Sequence, residues 1–68
     1  MYTITETIKL YPVEISGTHY QVVRTTMSDA NGFSRTDLIE VEYLLTDSFI
    51  DLQVKIDVAA AALLATYN

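Results

Sequence analysis

The stretch of this chain best furnished for chemistry is DANGFSRTDLIE, residues 29–40. Asp29, Asn31, Asp37 and Glu40 fall at positions 1, 3, 9 and 12 of that window, which is part of the oxygen-ligand pattern of an EF-hand calcium loop. The rest of the pattern is missing. Position 6, where the sharp bend demands glycine, is Ser34, and position 5 is Phe33, which has no side-chain oxygen. A hairpin explains the segment better, because Asn31-Gly32 between two alternating apolar runs signals a two-residue type I′ turn.

Other reactive side chains read the same way. His19 and Glu14 face each other in the register derived below and could pass for an acid–base pair, but an exposed cross-strand ion pair accounts for them more simply. Asp47, Asp51 and Asp57 could suggest a metal, yet Asp47 and Asp51 lie near a helix start, where the dipole already favours acids. No Ser, Thr or Tyr sits in a nucleophile motif, no glycine loop cradles phosphate, and Met1-Tyr2 offers no N-terminal proline base. With no Cys and one His, neither a zinc cluster nor a disulfide framework can be built. The sequence therefore argues for no enzyme, no metal site and no cofactor.

The elements that carry these residues belong to a chain of 68 residues, short enough that only about 60% of the unfolded surface is buried on folding. Half the residues are hydrophobic and 19% are charged, a folded rather than disordered composition. The formal charge of −5 sets nine acids against Lys9, Arg24, Arg35 and Lys55, too few and too scattered to track a phosphate backbone, so direct nucleic-acid binding is not expected. No cationic leader opens the chain and the longest apolar run, Val58 to Ala65, is too short to span a bilayer. The expectation is a single small domain, residues 1–68, cytoplasmic or assembled in a particle, neither exported nor membrane-bound.

Register follows from the turns. With Asn31-Gly32 as a two-residue turn, residues whose numbers sum to 63 oppose each other: Tyr20 with Tyr43, Val22 with Val41, Arg24 with Ile39, Gln21 with Glu42 and His19 with Leu44. Ser16-Gly17 makes a second turn that opposes Val13 to Tyr20 and Tyr11 to Val22, on the same face. Pro12, lacking an amide proton, places the first strand at an edge. Lys9 then meets Arg24, a like-charge contact costing a few tenths of a kcal/mol, about the scale of a cross-strand pair.

The C-terminal segment satisfies two templates, since Ile50, Leu52, Val54, Ile56 and Val58 alternate with polar residues as a strand would. Phe49, Leu52, Ile56, Ala59, Ala60, Leu63 and Tyr67 also form a helical stripe. Thr46 or Asp47 as a cap, an Asp51/Lys55 pair and the alanine-rich finish favour a helix over about 47–67, with a fourth strand and short terminal helix as the fallback. The fold class is α+β: a three-stranded antiparallel meander with the helix on the face of Tyr11, Val13, Ile15, Tyr20, Val22, Ile39, Val41 and Tyr43.

This arrangement leaves apolar surface uncovered. Ile8, Leu10, Val23 and Leu38 fall on the opposite sheet face, and Ile50, Val54, Val58 and Ala61 on the outer helix. Contiguous patches of this kind mark interfaces, and burying each large side chain contributes about 1.5–3 kcal/mol. A non-enzymatic subunit that binds itself or a protein partner, within a virion or other macromolecular particle, is the first functional expectation. The alternative is a small acidic inhibitor of the phage or mobile-element type, which would present Glu14, Glu40 and Glu42 to a basic protein.

Overall fold

Three long strands form one antiparallel sheet, β1 (Tyr2–Ile15), β2 (Thr18–Asp29) and β3 (Ser34–Tyr43) in spatial order β1-β2-β3, and one helix, α1 (Phe49–Tyr67), lies across one face. The computed structural model describes all residues from Met1 to Asn68. The expected α+β architecture is present, and residues 49–58 are helical.

The β1–β2 turn is as read. Ser16 and Gly17 both have positive φ, 51° and 83°, and Val13 opposes Tyr20 and Tyr11 opposes Val22. The ladder then breaks twice, leaving Leu10 and Thr5 unpaired as bulges. The first bulge removes the expected clash: Lys9 opposes Val23 instead of Arg24, and its ammonium lies 3.8 Å above the Phe49 ring. Arg24 instead approaches Glu6 at 3.8 Å on the far side of the sheet.

The β2–β3 turn is not the expected one. Only Gly32 has positive φ there, 86°, and the loop closes with Gly32 N–H bonded to Asp29 O and Asp29 N–H bonded to Phe33 O. This is a type I turn followed by a left-handed glycine, one residue longer than the type I′ form. Asp29 selects it, because its carboxylate accepts from the amides of Asn31 and Phe33 at 2.9 and 3.0 Å. Opposed residues therefore sum to 62, and Val22 meets Glu40, Val23 meets Ile39 and Gln21 meets Val41.

A one-residue slip exchanges faces. The side beneath the helix carries Val23, Val41 and Ile56 as its buried centre, with Ile39, Leu52 and Ala59 packed around them. Val23, expected on an exposed patch, is 0% exposed. Tyr11, Val13, Ile15, Tyr20 and Val22, expected under the helix, share the opposite, open face. The helix stripe itself is as read for Leu52, Ile56, Ala59, Ala60, Leu63 and Tyr67, while Phe49 remains exposed beside Lys9.

Both helix ends are tied down. Ser48, not Thr46 or Asp47, is the N-cap, and it exchanges hydrogen bonds with Asp51 in a capping box. Lys55 bonds Asp47 rather than Asp51, and Asp47 also accepts from the Leu44 amide, bracing the β3–α1 connection. At the other end the Tyr67 hydroxyl donates to Asp37 at 3.0 Å, the Arg35 guanidinium lies 3.7 Å above the Tyr67 ring, and Tyr2 packs edge-on against it. Arg35 Nε is 3.4 Å from Asp37, close enough for attraction but not aligned as a hydrogen bond.

Two predictions follow from these contacts. Thr25 is fully buried and its hydroxyl has no partner; Thr25→Val keeps the shape and removes the stranded polar atom, so stability should rise by about 1 kcal/mol, or roughly 4–8 °C in Tm. The Lys55 and Leu44 bonds hold the Asp47 carboxyl below its ordinary 3.8. Its contribution is complete above that value and is lost as pH falls through the lowered one. Urea titrations across acidic pH should show wild type and Asp47→Asn converging below pH 3.8, with wild type the more stable above it.

Candidate interaction surface

The molecule measures 41 × 21 × 18 Å, with a radius of gyration of 12.8 Å against about 11 Å for a compact chain of this length. Its accessible surface is 4534 Å², where a typical monomer of 7.6 kDa exposes about 4,300 Å². The cause is the length of the strands. The helix contacts the end of the sheet that holds Tyr2, Lys9, Arg35 and Asp37, and the β1–β2 hairpin tip lies at the other. Six buried hydrophobic side chains make the whole core.

The open sheet face is built in rows by the two ladders. Val13, Tyr20 and Glu42 form one row, Tyr11, Val22 and Glu40 the next, and Ile8, Arg24 and Leu38 the third. Beyond them lie hydroxyls, with Thr26 and Thr36 oxygens 3.4 Å apart and Ser28 and Ser34 oxygens 2.8 Å apart. One end of the face is thus apolar and aromatic, flanked along β3 by two carboxylates, and the other end carries these hydroxyls with Glu6 beside Thr26. Ile8 and Leu38 belong to this surface as expected, Leu38 being 60% exposed. Leu10 projects from its bulge at the edge of the sheet.

A second apolar strip runs along the outer helix, where Ile50, Val54 and Val58 are 73%, 56% and 65% exposed and Ala61 continues the line. Leu45 and Phe49 extend it at the helix start. The polar groups beside the strip are engaged with one another: Asp51 in the cap, Lys55 with Asp47, and Gln53 with Asp57 at 2.9 Å.

The three acids proposed for a basic partner do not share a face. Glu40 and Glu42 lie on the open side of β3, but Glu14 opposes His19, which opposes Tyr43, on the side that carries the helix. The His19–Glu14 pair itself is present at 3.9 Å, with the His19 ring tilted against Tyr43. The residues that sequence reasoning missed are Tyr11, Val13, Ile15, Tyr20 and Val22. The overlooked signal was Asp29, whose side chain lengthens the turn and moves those residues away from the helix.

No protein-family model, curated protein or solved structure matches this chain, so the surface stands as the ground for a functional reading.

Proposed function

We propose that this protein is a non-enzymatic subunit that works by assembling, with itself or within a larger particle. One observation supports the reading above the others: apolar side chains remain exposed on two opposite sides of an elongated molecule, the open sheet face and the outer helix strip, while the core is small. A chain of this size without disulfides has little stability to spare, and covering either surface adds the burial energy that folding alone leaves unused.

Sedimentation velocity or multi-angle light scattering at micromolar concentration should then give a dimer or larger species, with a Tm that rises with protein concentration. A monomer with a high, concentration-independent Tm would count against the proposal.

The acidic-inhibitor reading draws on Glu40 and Glu42, neighbours on the open face and without a basic partner in the fold. It requires salt-sensitive capture of a basic protein, lost in the double variant Glu40→Lys, Glu42→Lys. Capture that survives high salt, or the double substitution, would exclude charge as its driver.

A further inference from the structure

The two edges of the sheet are treated in opposite ways. Along β1 every stretch is obstructed. The Asn68 amide sits against Tyr2, donating to its carbonyl at 3.0 Å and accepting from its amide at 2.8 Å, as a neighbouring strand would. Bulges interrupt the strand at Thr5 and Leu10, and Pro12 has no N–H to offer. These are devices that natural sheets use to prevent edge pairing.

Strand β3 has none of them. Ser34–Tyr43 contains no proline, glycine or bulge and pairs with β2 in unbroken register. No side-chain hydrogen bond of the molecule reaches the backbone of these residues. Asp29 and Phe33 are joined by a backbone bond, and antiparallel ladders alternate. The backbone groups of Arg35, Asp37, Ile39 and Val41 therefore turn toward β2, and those of Ser34, Thr36, Leu38, Glu40 and Glu42 point outward.

We propose that the outer edge of β3 pairs antiparallel with β3 of a second copy, across a two-fold axis at Leu38, giving a continuous six-stranded sheet. This rests on the assembly reading above and names its partner and its contact. An axis perpendicular to the sheet keeps each face on its own side, so opposed residues must be both even or both odd. Charge then selects the register. Sums of 74, 80 and 82 would set Asp37 on Asp37, Glu40 on Glu40 and Glu40 on Glu42. Sums of 76 and 78 keep the longest overlap without opposing like charges, and 78 spends Glu40 on Leu38.

At 76 the overlap runs from Ser34 to Glu42. Leu38 meets its own copy, Glu40 meets Thr36 and Glu42 meets Ser34, so that four carboxylates across the pair face four hydroxyls. Those hydroxyls already contact Thr26 and Ser28. With Thr26 and Ser28 as donors, Thr36 and Ser34 are left with protons to give to the carboxylates. Both helices then lie on the same side of the joined sheet, antiparallel to each other.

The chain has no cysteine, so engineered thiols report this contact directly. Opposed residues of a hydrogen-bonded antiparallel pair have Cα atoms about 5.5 Å apart, inside the usual range for a disulfide. Under mild oxidation at micromolar concentration, Leu38→Cys should form a disulfide-linked dimer nearly completely, while Leu10→Cys on the obstructed edge should remain mostly monomeric. Thr36→Cys mixed with Glu40→Cys should give the mixed dimer in preference to either homodimer.

Leu38→Pro removes an outward amide without touching the β2–β3 ladder and should reduce the sedimentation mass to that of one chain with an unchanged circular dichroism spectrum. A monomeric wild type would overturn the pairing and self-assembly together, leaving assembly only within a larger particle. An oligomer that cross-links no better through position 38 than through position 10 would overturn the pairing alone and leave assembly through the faces.

Discussion

The hydrogen bonds that the amides of Asn31 and Phe33 donate to the Asp29 carboxylate govern what the rest of this molecule becomes. They favour a turn one residue longer than Asn31-Gly32 would adopt alone, and the added residue sets which side of β3 meets the helix. Val41 and Ile39 go inward with Val23, whereas Glu40, Glu42 and Leu38 go outward with Val22 and Tyr20. The apolar residues that the shorter turn would have placed under the helix move to the open face, where Tyr11 and Ile15 are 52% and 54% exposed while Val22 stays buried at 6%. Individual hydrogen bonds at an exposed turn contribute on the order of 1 kcal/mol, but here they choose between two complete assignments of inside and outside.

This explains why some of the architecture was readable from sequence and some was not. Strand count, strand order, the Ser16-Gly17 turn and the inner helix stripe all follow from local patterns and appear as expected. The ambiguity of residues 49–58 resolves through Ser48 and Asp51, whose reciprocal capping bonds favour a helix start and have no counterpart in a strand. The faces differ from those the two-residue turn predicts because Asn31-Gly32 and Asp29 favour different turns, and the bonds accepted by the Asp29 side chain decide between them. The bulges were hidden for another reason. A Lys9–Arg24 opposition registers as a cost in an ideal ladder, while the chain removes it by inserting Leu10 and moving Lys9 to the other side, toward Phe49.

Ile50, Val54 and Val58 depend only on helical spacing, so their exposure is insensitive to strand register. Val23 and Glu14 depend wholly on it. Val23 is core, and Glu14 lies away from Glu40 and Glu42. Long strands and a short helix leave the molecule extended, and that mismatch of lengths, more than any single exposed residue, is what makes a covering partner energetically attractive.

The Asn68 amide also brings the two ends of the backbone together, since it holds Tyr2 by two hydrogen bonds. Tyr2 and Asn68 are therefore neighbours in the fold. A short peptide joining the ends would leave the folded state almost undisturbed while removing conformational freedom from the unfolded one. Cyclised in this way, the chain should form the same sheet and helix, with the Asp29 turn that sets their register left intact.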